Sequence, residues 1–138
     1  MIMLGKRPRS LCEVVRRAKS GEQKFDTALL EFLDSFYANP EQREDAIKDA
    51  PATIDALHDA YVSAVAEHLA RSFGLTIPEW TERQGHDLRE PFFAGGLQSL
   101  KGVLVAESPA AFRRRMLFVS QDALSRPRLP QPEGDRVT

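Results

Sequence analysis

Residues 54–74 read IDALHDAYVSAVAEHLARSFG, and this stretch decides the predicted fold class. Its apolar residues recur every three or four positions, which places them on one face of an α-helix. The members of this face are Ile54, Leu57, Tyr61, Ala64, Val65, Leu69 and Phe73. Polar residues step by four along the other side, which we expect to face solvent: Asp55, Asp59, Ser63, Glu67 and Arg71.

The same stretch carries its own end signals. We expect the helix to begin after Thr53 and to run to about Phe73, because Gly74 supplies the left-handed conformation that ends many helices. Glu67 and Arg71 are four residues apart and can form an ion pair on the solvent face.

Three more helices are predicted upstream of it. The first follows Ser10, a residue type that caps helices, and stops at Gly21. The second is capped by Asp26, with Phe25 packing onto Leu30 as a hydrophobic staple. Its apolar face is formed by Leu29, Phe32, Leu33 and Phe36.

The third helix has a different start signal, in which Asn39 caps and Pro40 occupies the first turn. We expect it to end near Asp49 or Ala50, because Pro51 disfavours helical conformation in the residue before it.

The second half of the chain has a weaker pattern. Residues 75–96 show no sustained period, and we expect an irregular segment with one helical turn near Glu79–Arg83. The segment around Gly95 and Gly96 lacks the lysine and hydroxyl residues of a phosphate-binding loop. We interpret the two glycines as a flexible connection before a fifth helix. That helix is indicated by the apolar spacing of Leu97, Leu100 and Leu104.

Ser108 and Pro109 open a further short helix. Either helix or strand fits residues 102–106 and 116–119, and Ser120 is placed to cap a last turn. We therefore predict a mainly α, single domain over residues 1–125. It comprises a helical bundle over 10–73 and a compact, partly irregular portion over 75–125, and a flexible, proline-rich tail follows over 126–138.

Composition excludes some functions and leaves others open. The net charge of −1 implies no general attraction to nucleic acid or membranes. Residues 1–20 nevertheless carry six bases against one acid, and residues 21–60 carry ten acids against three bases. Two solvated helix faces or an electrostatic contact, internal or to a partner, would explain this asymmetry.

A cytoplasmic location is expected from two features. The single cysteine, Cys12, excludes an internal disulfide and suits a reducing compartment, and we interpret it as a small core residue. No apolar run is long enough for a membrane span.

Few residues suggest chemistry. His58 and His68 lie ten apart on the predicted helix, which turns them roughly 80° from each other, so we interpret both as packing residues. We expect no metal and no cofactor. The alternative of a small enzyme or enzyme subunit would use His86, Asp87 and Glu90 in a pocket beside Arg114.

The basic N-terminus offers a weaker alternative, a DNA-binding autoregulator. Its phosphate contacts would come from Lys6, Arg7, Arg9, Arg16 and Arg17. The acidic second helix argues against a helix-turn-helix reader, because phosphates repel it.

The arginine run Arg113–Arg115 is the most distinctive local feature. On a helix the three side chains spread over about 200°, so they cannot all face one way. Phe112 and Met116 would share the buried side. The arginines then either clamp the acidic region over 21–60 or contact a partner.

Four segments together resemble a loosely defined group of small bacterial proteins: FDTALLEFLDSFY at 25–37, AEHLARSFGLTIPEWT at 66–81, LREPFF at 88–93 and VLVAESPAAFRRRMLFVSQDALSR at 103–126. Members of that group are often encoded beside nucleotidyltransferase-like or other toxin-like partners. The resemblance implies a non-enzymatic antitoxin-like protein that binds and neutralises a cognate toxin. This chain departs from the pattern at Met116-Leu117 and at Phe92-Phe93.

For this role we predict an exposed partner-binding patch of aromatic and arginine side chains. Such patches are enriched in interface hot spots. The predicted members are Trp80, Phe92, Phe93, Phe112, Arg113, Arg114 and Arg115.

Overall fold

The computed structural model describes residues 6–93 and 108–119. The elements in chain order are α1 (Leu11–Ser20), α2 (Phe25–Ala38), a 3-10 turn (Pro40–Gln42), α3 (Arg43–Ile47), α4 (Ala56–Phe73), α5 (Trp80–Arg83), β1 (Phe92–Phe93), α6 (Ala110–Arg113) and β2 (Leu117–Phe118). The described chain is mainly helical, so the predicted fold class is confirmed.

The ends of α1 and α4 follow from local chemistry that the sequence displays. The Ser10 hydroxyl accepts a hydrogen bond from the backbone N–H of Glu13 and caps α1, as predicted. Asp55 caps α4 in the same way, so this helix begins at Ala56, and the prediction that it begins directly after Thr53 is wrong. Gly21 and Gly74 end the two helices with left-handed backbones, at φ 81° and 67°.

Two predicted caps are wrong. Asp26 lies inside α2, which begins one residue earlier, and no side chain caps its N-terminus. Asn39 uses its amide to donate to the backbone carbonyl of Ser35 at 2.8 Å, so it closes α2 instead of opening the next helix. At Asn39 a nearby backbone carbonyl was the better hydrogen-bond partner.

The third helix is shorter than predicted because tertiary contacts take over its end. A 3-10 turn precedes α3, which ends at Ile47. The carbonyl of Ile47 accepts a hydrogen bond from the indole N–H of Trp80 at 3.1 Å, and that of Asp49 accepts one from the Cys12 thiol. These contacts join α1, α3 and α5.

Arg43 connects the ends of α2 and α4. Its guanidinium donates to the carbonyls of Phe36 and Tyr37 and lies 4.3 Å above the centroid of the Phe73 ring. It thus satisfies helix-end carbonyls and makes a cation–π contact with the same group. The aromatic cluster it covers belongs to the core around α2 and α4.

The C-terminal portion packs on α4 through α6, and a two-stranded parallel sheet lies next to α6. Phe92 pairs with Leu117, which assigns a strand to the ambiguous stretch after the arginines. Ser108 does not cap α6; its hydroxyl donates to the carbonyl of Val119 and accepts from its N–H. Two hydrogen bonds therefore join the first and last described residues of this segment, Ser108 and Val119.

Several predictions fall outside the described residues. These are the joint at Gly95 and Gly96, the fifth helix around Leu97–Leu104, the choice for residues 102–106, the last turn at Ser120 and the tail over 126–138.

Replacing Gly85 by alanine tests the packing of the α5–β1 connection against α4. A Cβ at this position would lie 2.5 Å from the Ser63 hydroxyl oxygen and 2.8 Å from the carbonyl oxygen of Asp59, at φ 81°. We expect Gly85→Ala to lower the free energy of unfolding, measured in urea, by about 1–3 kcal/mol beyond its matched control.

The control is Gly21→Ala, which has the same φ of 81° but no neighbour within 4 Å of the added Cβ. It therefore carries the backbone strain alone, about 1 kcal/mol. Equal costs for the two variants would show that the close approach to Ser63 is not a constraint on the fold.

Candidate functional site

A buried carboxylate on α4 organises the C-terminal portion. Glu67 is completely buried, and Ser63 one turn before it is buried as well. The prediction that these residues face solvent is wrong, because α5, α6 and the Gly85 turn cover this side of the helix. The available signal was the surrounding run of small residues, Ala60, Ala64, Ala66 and Ala70, which lets other elements approach closely.

Arg115 reaches Glu67 from the far end of α6. Its Nη1 donates to Glu67 Oε1 at 2.7 Å and to the carbonyl of Ala111 at 2.8 Å. Its Nη2 donates to the carbonyl of Thr81 at 2.9 Å. Both members of the ion pair are buried, and one guanidinium thus joins α4, α5 and α6.

Two further arginines approach the other oxygen of Glu67. Arg71 donates to Oε2 through Nε at 2.7 Å, and Arg114 through Nη1 at 3.3 Å. Arg114 also shares Nη2 between the two oxygens of Glu82, at 3.1 and 3.2 Å. We call Glu67, Arg71, Glu82, Arg114 and Arg115 the Glu67 cluster, and it carries one net positive charge.

The arginine run therefore does act as an internal clamp, but on different acids from those expected. Its acceptors, Glu67 and Glu82, both lie outside the acidic region over 21–60. The predicted pair of Glu67 and Arg71 exists, with the carboxylate buried and the arginine about half exposed.

The cluster shifts the titration of its central carboxyl. Burial alone raises the pKa of Glu67, but hydrogen bonds from Arg115 and Arg71 and the charges of Arg115 and Arg114 outweigh burial and hold the pKa below its ordinary value. The folded protein therefore stabilises the ionised form of Glu67.

The backbone is strained where Arg115 turns inward. The prediction that Met116 shares the buried side of a helix with Phe112 is wrong, because the helix ends at Arg113 and Met116 is partly exposed. Its φ is 63°, a left-handed conformation that a side chain such as methionine rarely adopts. Within the described residues, Arg115 Nε and the Ser63 hydroxyl are buried without a hydrogen-bond partner. The ion pair is therefore formed at a local cost in both backbone conformation and polar satisfaction.

Three of the residues predicted to form an exposed patch are in fact buried. They are Trp80, Phe112 and Arg115. Phe112 packs between Tyr61 and His68 of α4. The indole N–H of Trp80 donates to the last carbonyl of α3. Exposure is wrong for these three because they form the contacts that hold the C-terminal portion in place.

The other members of the predicted patch remain near the surface. Arg113 and Arg114 are exposed, and Phe92 is partly buried against the core. Phe93 lies in β1, and its side chain is outside the described part of the structure.

The residues proposed for an enzyme are not brought into contact within the described residues. His86 lies at the surface and hydrogen-bonds through Nε2 to the carbonyl of Thr81 at 3.1 Å. Asp87 and Glu90 are also exposed. Arg114 is used by Glu67 and Glu82.

The other candidate chemical groups have structural contacts. His58 pairs with Asp55 at 2.9 Å, and His68 packs edge-on to Phe112, which agrees with their interpretation as packing residues. Burial, reinforced by the charge of Asp49, raises the pKa of the Cys12 thiol. Among the described residues no group of histidines, cysteines and acids is arranged to hold a metal ion.

The basic N-terminal residues divide into two sets. Arg16 pairs with Glu22 at 2.9 Å, and Arg17 with Glu13 at 2.8 Å, so both are engaged within the chain. Lys6, Arg7 and Arg9 are exposed ahead of α1.

Comparison with protein-family models, with curated proteins and with solved structures finds no match to this chain. Across the part of the chain that the structure describes, every helix is too short or too polar to cross a bilayer.

Breaking the buried ion pair on one side is expected to be much worse than removing both partners. Glu67→Ala leaves Arg115 buried without its counter-charge and should cost about 3–5 kcal/mol in the free energy of unfolding. The double variant Glu67→Leu/Arg115→Met should recover most of that loss, because it buries no lone charge.

The matched control is Glu79→Ala, which breaks the exposed pair with Arg83 at 3.1 Å and should leave stability nearly unchanged. Additive losses in the double variant would contradict a coupled buried pair.

The lowered pKa of Glu67 makes stability depend on pH with a defined sign. A carboxyl whose pKa is lower in the folded than in the unfolded state adds stability above the ordinary value of 4.5, and that stability is lost as the pH falls through the folded value. We expect the urea concentration at the unfolding midpoint to decrease as the pH is lowered below 4.5. The decrease should be smaller in Glu67→Gln. The same pH dependence in both proteins would assign the effect to other carboxyls.

Proposed function

We propose that this chain is a non-enzymatic protein–protein interaction module, an antitoxin-like protein that binds and neutralises a cognate bacterial toxin in the cytoplasm. The observation that carries the proposal is a surface of mixed arginine and apolar character beside the Glu67 cluster. It consists of Phe92, Arg113, Arg114 and Met116, and we call it the Arg113 surface.

Backbone contacts hold the members of this surface together. The N–H of Met116 donates to the carbonyl of Arg113 at 3.0 Å, and the N–H of Phe92 donates to the carbonyl of Met116 at 2.9 Å. Two hydrogen bonds therefore link residues from α6, β1 and the strained turn. Phe92 and Met116 keep part of their side chains accessible, and Arg113 is exposed.

The residue types are those that protein interfaces favour. Arginine, methionine and aromatic residues are enriched at interfaces, and arginine and aromatic side chains dominate the binding energy of many of them. The surface is also preorganised, because Arg115 and Glu67 fix its backbone from below. Little conformational entropy then has to be lost when a partner binds.

The nature of the partner rests on the resemblance of residues 25–126 to small bacterial proteins encoded beside toxin-like proteins. A nucleotidyltransferase-like toxin is the partner that this resemblance favours. Neutralisation would follow from direct binding through the Arg113 surface.

Charge reversal at Arg113 tests the proposal. Tagged full-length chain, exposed to a lysate of its source cells, should retain one protein in stoichiometric amount, identified by mass spectrometry. Arg113→Glu should weaken binding of that protein at least tenfold, as expected for an interface arginine. Arg9→Glu, an exposed arginine ahead of α1 with the same change of charge, should bind as the unmodified chain does.

The second readout is growth. Expression of the captured protein alone should slow growth, and co-expression of the unmodified chain should restore it, whereas co-expression of Arg113→Glu should not. A captured protein that binds both variants equally, or that has no effect on growth, would contradict the proposal.

A further inference from the structure

The surplus positive charge of the Glu67 cluster lies at its outer edge. Arg115 is buried and neutralises Glu67, and Glu82 offsets Arg114. Arg71 is therefore the cation in excess, and its side chain is 54% exposed. It binds Glu67 through Nε, and within the described residues its two terminal nitrogens have no hydrogen-bond partner.

Arg71 and Arg114 are held side by side. Both donate to the same oxygen of Glu67, so their guanidinium groups converge from α4 and from the end of α6. The buried carboxylate beneath them is fixed in turn by Arg115. Two partly exposed guanidinium groups that share an acceptor place their remaining N–H donors close together at the surface, which suits an oxyanion.

A carboxylate of the chain already binds at this position. Glu82 puts a carboxylate on Arg114, but one nitrogen is shared between both oxygens at 3.1 and 3.2 Å, and the Glu82 side chain is 56% exposed. A shared donor at the surface makes a weak pair. An incoming carboxylate could displace Glu82 from Arg114 and also reach the terminal nitrogens of Arg71.

We infer that Arg71 and Arg114 bind an acidic segment of the protein partner through its carboxylates, and that Glu82 is an internal competitor for this contact. The inference rests on the proposed function, which supplies the partner, and it names the chemistry the partner must present next to the Arg113 surface. Because Arg114 belongs to both, one partner can engage the two together.

We expect two substitutions to change the affinity for an acidic peptide in opposite directions. Removing Arg71 takes away a donor to the partner's carboxylate, and removing the charge of Glu82 takes away the competitor. The probe is a fluorescein-labelled oligoglutamate peptide, titrated with purified full-length chain by fluorescence anisotropy at low and at physiological ionic strength.

We expect Arg71→Gln to weaken peptide binding about two- to fivefold and Glu82→Gln to tighten it by a similar factor, the size typical of partly exposed ion pairs. Arg83→Gln is the matched control. It removes one charge from α5, where Arg83 pairs with Glu79, and should leave the affinity unchanged. Thermal unfolding of each variant verifies the fold, and Glu82→Gln keeps the test decisive if Arg71→Gln unfolds.

Three results would overturn the inference. They are equal weakening by Arg83→Gln and Arg71→Gln, no tightening by Glu82→Gln, and displacement of the peptide by inorganic phosphate but not by acetate. The last would mean that the site prefers phosphate groups. One outcome separates the two proposals. If Arg113→Glu prevents capture of the partner but Arg71→Gln and Glu82→Gln leave the peptide affinity unchanged, this inference is overturned and the proposed function stands.

Discussion

The ion pair between Glu67 and Arg115 is the interaction on which the C-terminal portion of this protein depends. Desolvating two charges is expensive, and the expense is offset only where geometry is good and the remaining donors are satisfied. Here the two terminal nitrogens of Arg115 bind the carboxylate and the backbone carbonyls of Ala111 and Thr81, and among the described residues only Nε of this guanidinium has no partner. The ion pair thereby adds a polar link between elements that also pack through apolar contacts, such as those of Phe112 with Tyr61 and His68 of α4.

The exposed groups around this pair follow from its position. With Arg115 directed inward, its neighbours Arg113 and Arg114 point to the surface, and Met116 takes a left-handed conformation to bring β2 alongside β1. The buried and exposed arginines therefore have different tasks. Arg115 serves only the scaffold. Arg113 and Arg114 each make one contact to it, with the Ser108 carbonyl and with Glu67, and they also supply the contacts that we assign to a partner, with Glu82 competing for Arg114.

Much of the helical part was predictable because its signals are local. The period of α4, the cap at Ser10 and the stops at Gly21 and Gly74 each depend on residues within one turn. Two of the errors occur where distant residues supply the hydrogen-bond partner. Trp80 donates to Ile47 at the end of α3, and Ser108 turns to Val119 instead of capping α6. Neither partner is visible from sequence spacing.

The candidate site divides along the same line. The sequence by itself determined that the chain is mainly α, because helical periodicity depends only on spacing. It named Arg113, Arg114 and Arg115 together as contact residues and placed all three on a helix that in the structure ends at Arg113. Only the tertiary structure decided that Glu67 and Arg115 are buried while Arg71 and Arg114 stay partly exposed. The physical reason is that burial of a carboxylate requires a charged partner from elsewhere in the chain, and for Glu67 that partner lies 48 residues away.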